Sequence, residues 1–384
     1  VKILFATHWA KNMLIFRSWM LQEAVRRGYE VIVLCPPDAD AQQFEDMGCR
    51  FISWKLQRGG GLANLWSAIV QVRSILKSEN PDSTVVYCVQ PILTMLMAWK
   101  WSGQKGYLYP TLTGLGSLWT DLEPATVQKK GLRFVMERIL GWLLPQSKAV
   151  FVLNQDDKMQ VASWNSRLQP ISGVLGKDFA SLPESHGDKK TPVVQTLGEG
   201  VDLSFFEIPT PEDRVRARER WNIPQDAFVV GFVGRLIREK GAQAFLEFCK
   251  EMSERNEVHF LVVGDPDPGN PTSLSPLEMA ELERVPRLHR ESWMLDVRPA
   301  YAAMDALVFF SVREGFPVTP MEAMACGVPV FAFDAVGTRE VVPKEWIFME
   351  DQILRAPLII PSRANRLQSH QSFVALFRDI SRIS

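Results

Sequence analysis

The feature that most restricts this chain is an alternation of short apolar runs with longer stretches whose apolar residues recur at helical spacing, and two separate parts of the chain show it. Residues 1–6 form the first apolar run, after which Met13, Leu14, Phe16, Leu21, Ala24 and Val25 lie along one helical face. Arg27-Gly28 closes that helix with a left-handed cap signal, and 29–34 reads as a second strand stopped by Pro36-Pro37. The same alternation predicts strands at 50–54, 83–89 and 149–153, with helices at 62–77 and 91–101. A polar, loop-like stretch at 181–192 interrupts it. Strands are then expected at 227–233, 258–263, 306–310 and 329–332, separated by helices at 241–254, 275–283 and 320–325. Strand–helix repeats build parallel sheets covered on both faces. The expected fold class is therefore α/β, with two doubly wound, Rossmann-like domains, 1–190 and 191–365, facing each other across a cleft. Ligands of such sheets bind outside the carboxyl ends of the strands.

Bulk properties exclude several classes. With 384 residues, 46% hydrophobic and 23% charged, the chain is neither disordered nor fibrous, and its length suits two or three domains. No apolar run reaches the roughly 18 to 20 residues of a spanning helix, and the apolar start is too short for a signal peptide, so a cytoplasmic chain is expected. The five cysteines (Cys35, Cys49, Cys88, Cys249, Cys326) form no paired motif and mostly sit in apolar segments, which argues against disulfides and zinc. Net charge is −1, but residues 1–190 hold 22 Lys+Arg against 16 Asp+Glu and the remainder 21 against 28. That asymmetry fits either a surface meeting anionic partners or a solvated face. Nucleic acid is not an expected partner, because no basic cluster is present.

The most informative stretch is 314–330. Glu314 and Glu322 stand eight positions apart, Gly315-Phe316-Pro317-Val318-Thr319 lie between them, and Pro320 suits the first turn of a helix ending at Gly327. Glu314 then sits on a loop at a strand's carboxyl end and Glu322 about one turn into the helix. The helix start between them offers backbone N–H groups that suit phosphate. A second cluster, Gly234-Arg235-Leu236-Ile237-Arg238-Glu239-Lys240-Gly241, follows another strand, where Arg235 and Lys240 could hold a diphosphate. Each group also has a plainer reading as solvated surface charge. Two Asp-x-Asp triplets, 38–40 and 265–267, could be imagined around Mg²⁺, but proline-rich turns explain both and no metal is expected.

Together these residues resemble the donor domain of bacterial family-four retaining glycosyltransferases with the GT-B fold. Gly200-Val201-Asp202 before the second series is similar to a family segment, and so is the Gly337-Thr338-Arg339-Glu340 loop. Gly264–Pro271 and Thr113-Gly114-Leu115-Gly116 narrow the resemblance to enzymes building O-antigen, capsule or exopolysaccharide repeat units on polyprenyl diphosphate. The resemblance implies that Glu314 meets the donor sugar, Glu322 the ribose, and Arg235 and Lys240 the diphosphate. Gly234, Gly315, Phe316, Pro317, Val318 and Thr319 would complete the donor site. It further implies a UDP-sugar donor, no cofactor and no metal, and a lipid-linked glycan acceptor.

The first domain would take the acceptor. Its leading strand ends in Thr7-His8-Trp9 rather than a glycine-rich loop, which argues against dinucleotide binding. Arg17 matches a family arginine, His8 could orient an acceptor hydroxyl or be structural, and Thr113 and Gly114 complete the acceptor candidates. Residues 128–144 combine basic residues with a broad apolar face and Trp142, as in a helix lying on an anionic membrane or one packed on the core. Peripheral attachment to the inner face of the cytoplasmic membrane is expected. Residues 343–351 lack the family pattern, although 368–383 could form a terminal helix packed on the first domain. The alternatives are a degenerate glycosyltransferase acting as a binding or scaffold subunit, or a nucleotide-sugar epimerase or hydrolase of the same fold.

Overall fold

The structure is a computed structural model that describes residues 1–37, 40–57, 60–122, 124–175, 190–198 and 200–348. One compact unit comprises Val1–Trp119 and Pro124–Glu199, and a second comprises Thr120–Glu123 and the chain from Gly200 onward. The first contains β1 (Lys2–Ala6), α1 (Ala10–Arg26), β2 (Glu30–Cys35), α2 (Gln42–Asp46), β3 (Arg50–Ser53), α3 (Gly61–Glu79) and β4 (Ser83–Tyr87). It continues through α4 (Val89–Ser102), β5 (Tyr107–Leu112), α5 (Val127–Leu143), β6 (Val150–Val152), α6 (Gln155–Ser163), β7 (Leu168–Leu175) and β8 (Thr191–Thr196). All strands run parallel, in the order β3-β2-β1-β4-β5-β6-β8-β7.

The second unit contains α7 (Pro211–Arg220), β9 (Phe228–Val233), α8 (Ala242–Met252), β10 (Val258–Val263), α9 (Pro276–Glu283) and β11 (Leu288–Glu291). Then come α10 (Arg298–Ala303), β12 (Ala306–Phe309), α11 (Val318–Ala325), β13 (Val330–Phe333) and β14 (Ile347–Phe348). Its parallel order is β11-β10-β9-β12-β13-β14. Each sheet is therefore buried on both faces. Along β9, Phe228, Val230 and Phe232 enter one core while Val229 and Val233 pack with the other, the two-residue period of a strand. Helix starts carry local signals: Thr210 with Asp213, and Ser275 with Glu278, form capping boxes followed by Pro211 and Pro276 at the first helical position.

The expected boundary at 190/191 moves. Residues 191–196 form β8, inserted between β6 and β7, so the first unit extends past the polar stretch. Thr191-Pro192 read as linker because proline and threonine punctuate loops, whereas pairing on both edges makes them strand. Periodicity also conceals β5, since Pro110 sits inside it; the β6 ladder begins at Thr111, one residue past that proline. Ile347–Phe348 pairs with Ala332 and Phe333, so a strand does continue the second sheet where the sequence departs from the family pattern. The terminal helix expected at 368–383 lies outside the described residues.

Candidate functional site

The second sheet changes direction once. From β9 the chain proceeds to β10 and β11 on one side and returns to β12 on the other, so the loops leaving β9 and β12 diverge at a switch point. Those loops carry Gly234–Lys240 and Ser311–Pro317. At their meeting, Lys240 Nζ donates to both carboxylate oxygens of Glu314, at 2.6 and 2.8 Å. Ser311 Oγ lies 2.6 Å from Glu314 Oε1 and 3.0 Å from the Glu239 carbonyl, with one proton to donate between them. Two glycines make the approach possible. Gly241 has φ +79°, and a Cβ there would fall 2.3 Å from the Phe310 carbonyl oxygen; at Gly337, also +79°, it would fall 2.4 Å from that of Glu314. The loop after β13 thus braces Glu314, whose N–H donates to the Val336 carbonyl at 2.9 Å.

Arg235 is half exposed and its Nη1 donates to Asp267 Oδ2 at 2.7 Å, while Asp265 accepts from Arg290 and from the Trp293 N–H. The second Asp-x-Asp triplet is therefore occupied by arginine pairing. Ala39 and Asp38 of the first triplet lie outside the described residues, and among the described residues no group of three His, Cys, Asp or Glu could hold a metal ion. Helix α11 is preceded by Pro317 at its N-cap, which provides no side-chain cap, so the Val318 and Thr319 N–H groups open its first turn as a diffuse positive end. Glu322, further along α11, accepts from the Tyr301 hydroxyl at 2.8 Å. Burial pushes the Glu322 carboxyl up from its ordinary range, and the Tyr301 bond partly offsets this. Tyr301, on α10, is fully buried. No spacing rule links it to Glu322; only packing of α10 beside α11 does. Ser311, three residues before Glu314, could have been suspected from its position at the strand end.

The first sheet has the same kind of switch, between β1 and β4. His8 follows β1 and is half-buried, Arg17 is on α1, and Thr113 with Gly114 (φ +127°) follows β5. Arg17 is buried, its guanidinium 4.1 Å from the Tyr87 ring centroid, with Nη1 donating to Asn12 Oδ1 at 2.9 Å. Burial lowers its pKa, yet an arginine remains charged. Thr113 Oγ1 contacts Cys88 Sγ at 3.5 Å. Cys88, the residue joining β4 to α4, has φ +69°, an uncommon conformation for a residue with a side chain. The four acceptor candidates thus occupy one edge of one sheet, together with Tyr87 and Cys88, which sequence alone did not single out.

Comparison with known proteins identifies the architecture. Residues 17–171 match the model described as "Glycosyl transferase 4-like domain" and 227–364 that of "Glycosyl transferases group 1". A GDP-mannose-dependent alpha-mannosyltransferase of Mycolicibacterium smegmatis is 32% identical over 47% of this chain and 44% of its own length. An N,N'-diacetylbacillosaminyl-diphospho-undecaprenol alpha-1,3-N-acetylgalactosaminyltransferase of Campylobacter jejuni is 24% identical over 98% of this chain and 96% of its own. The chain thus spans less than half of the mannosyltransferase but nearly all of the Campylobacter enzyme. Among solved structures, Anabaena HepE in complex with UDP-glucose superposes with a TM-score of 0.71 at 17% identity, covering 97% of this chain and 92% of HepE. WaaG, a glycosyltransferase involved in lipopolysaccharide biosynthesis, gives 0.63 at 15% identity over 97% and 94% of the two chains. Two parallel Rossmann-like sheets, with two consecutive family models that together match most of the chain, place this protein among the GT-B glycosyltransferases of the group 1 and 4-like family.

Proposed function

We propose that this glycosyltransferase moves a hexose or N-acetylhexosamine from a UDP-sugar to a polyprenyl-diphosphate-linked glycan, with retention and without metal, in the assembly of a surface polysaccharide. The observation that carries the reading is the corner at the β9/β12 switch point, where the loop after β9, which carries Arg235, brings Lys240 onto Glu314, and the loop after β12 leads from Glu314 through Gly315 into the start of α11. When the anomeric C–O bond breaks, its electron pair departs on the diphosphate. Cations and N–H groups already aimed there stabilise the transition state more than the bound donor. The acceptor oxygen forms the new bond on the same face of the sugar, and its proton passes to the departing phosphate oxygen. Glu314, held by Lys240 and Ser311, takes the sugar hydroxyls, and Glu322 takes those of the ribose. Gly234, Phe316, Pro317, Val318 and Thr319 complete the donor pocket, while His8, Arg17, Thr113 and Gly114 serve the acceptor at the edge of the first sheet.

Support for uridine comes from the HepE complex with UDP-glucose, and for a lipid diphosphate acceptor from the name of the Campylobacter relative. A thermal-shift panel of UDP-glucose, UDP-N-acetylgalactosamine and GDP-mannose tests the donor. A ligand at 100-fold its Kd adds about 2.7 kcal/mol to the unit that binds it, so the UDP-sugars should raise its unfolding temperature by several degrees. A response to GDP-mannose alone would overturn the uridine assignment, and donor binding without transfer to any lipid-diphosphate acceptor would favour a scaffold subunit.

Tyr301 supplies a sharper check. Replacing it with Phe keeps the ring in the core but removes the bond that lowers the Glu322 pKa, so the carboxyl should titrate higher still. Over a descending pH range, UDP affinity should begin to weaken at a higher pH in the variant than in the parent chain, because less of Glu322 is ionised to accept the ribose hydroxyls. Calorimetric titration across that range reads the difference; weakening at the same pH in both would leave Tyr301 a packing residue.

A further inference from the structure

Helices α3, α4 and α5 cover the same side of the first sheet, with Leu76, Leu96 and Leu140 in a common core. Their outward faces are unusual. On α3, Leu62, Trp66 and Val70 repeat every four residues and are 85, 58 and 51% exposed. On α5, Val127, Phe134, Val135 and Trp142 form an equally outward stripe, with Phe134 63% and Trp142 60% exposed. Residues Trp101 and Lys100 of α4 join the two stripes: the Trp101 ring meets Trp66 edge-on at 5.7 Å, and Lys100 Nζ lies 4.2 Å from the Trp142 centroid. An apolar surface this continuous, with three tryptophans, is not ordinary for a water-facing helical layer. The expectation for 128–144 offered a core helix or a membrane helix; α5 packs one face through Leu140 and Leu143 and leaves an apolar face outside.

Charge on the same layer is predominantly positive. The three helices carry Arg73, Lys77, Lys100, Lys129, Lys130, Arg133 and Arg138, against only Glu79 and Glu137. Both carboxylates are already engaged, Glu79 by Arg50 and Lys2, and Glu137 by Trp119 Nε1 at 2.9 Å. A second copy of this chain would bring cations against cations. An acidic soluble partner would satisfy the charge but not a row of exposed tryptophans, which favour the boundary between headgroups and acyl chains.

We propose that the outward face of α3, α4 and α5 is a membrane-docking surface, on which Trp66, Trp101 and Trp142 enter the headgroup boundary of an anionic bilayer and the surrounding lysines and arginines meet its charge. The inference takes up the peripheral membrane attachment expected from the sequence, and it rests on the proposed transfer to a lipid-linked acceptor only for its purpose. Its physical content, two apolar stripes bridged by Lys100 within a cationic layer, stands on the first unit alone. Basic residues near an anionic leaflet add attraction that salt screens, whereas inserted tryptophans add attraction that salt does not.

The test is co-sedimentation of the full chain with vesicles of phosphatidylcholine alone or with about one third phosphatidylglycerol, at low and high salt. Binding should be seen with the anionic vesicles and weaken with salt. Separately, the Leu62→Ser/Trp66→Ser/Val70→Ser and Phe134→Ser/Trp142→Ser variants should each weaken it by roughly tenfold or more. Tryptophan emission should shift to the blue on binding, and quenchers at the headgroup boundary should reach Trp66 and Trp142. All substitutions are on exposed positions, and an unchanged circular dichroism spectrum confirms that folding persists. Absence of binding by the parent chain overturns the proposal, as does binding that both variants retain. So does a parent dimer that the variants convert to monomer without any change in vesicle binding. The assay contains no nucleotide and no glycan, so a chain that binds vesicles but no nucleotide sugar would sink the catalytic reading and leave the docking surface standing.

Discussion

Replacing Lys240 by Ala should lower turnover by about 10² to 10³, the range seen when one preorganised donor to a developing negative charge is removed. Two effects combine. The variant lacks a cation at the switch-point corner, and it releases Glu314 from a two-point ion pair in which the carboxylate is largely buried. They can be separated. Substituting Glu314 by Gln in the same chain removes the unpaired charge, so the double variant should recover stability relative to Lys240→Ala while turnover remains low. Steady-state kinetics with urea unfolding of both variants decides the matter. Recovery of turnover in the double variant would make the pair structural and remove Lys240 from the chemistry. Arg235→Ala should cut turnover by about 10² or more with less change in stability, since its side chain is half exposed and its pairing with Asp267 is at the surface.

The largest effect on stability is expected beneath the site. Arg218, on α7, is fully buried and donates to the carbonyls of Ala303, Pro224, Gln225 and Ala227, as well as to Asp305 Oδ2 at 2.8 Å. Asp305 also accepts from Arg214 at 2.6 Å and from the Val229 N–H at 2.7 Å, so one carboxylate ties α7 to the start of β9 and to the turn before β12. Removing it strands a buried guanidinium. Asp305→Ala should therefore cost about 3–5 kcal/mol, a large part of the 5–15 kcal/mol by which a domain is stable. Hydrogen exchange should then show β9 and β12 losing protection while β1 and β4 of the first unit keep theirs. Uniform protection in both units would show that the network contributes little.

Much of this was legible in the residues. Alternation of strand and helix signals dictates parallel sheets, because strands buried on both faces need apolar runs and their crossovers need amphipathic helices. Gly234-Arg235 falls where β9 gives way to a loop, Lys240-Gly241 where that loop enters α8, and Glu314-Gly315 in the loop after β12, so their place at a carboxyl edge followed from spacing alone. Strands whose signal is local and mixed were not legible: Pro110 hides β5, and Thr191-Pro192 look like linker until β6 and β7 flank them.

Side-chain chemistry near the site divides the same way. Sequence determines which charged groups arrive at the switch point, since that depends on chain order and turn residues, which are local properties. Tertiary structure decides what each group does there: that Lys240 pairs with Glu314 across 74 positions, that Tyr301 caps Glu322 from another helix, and that α5 turns an apolar stripe outward. Those outcomes depend on which helix packs against which. A periodic pattern records that a face is apolar, but it carries no information on whether that face will meet a core or remain outside.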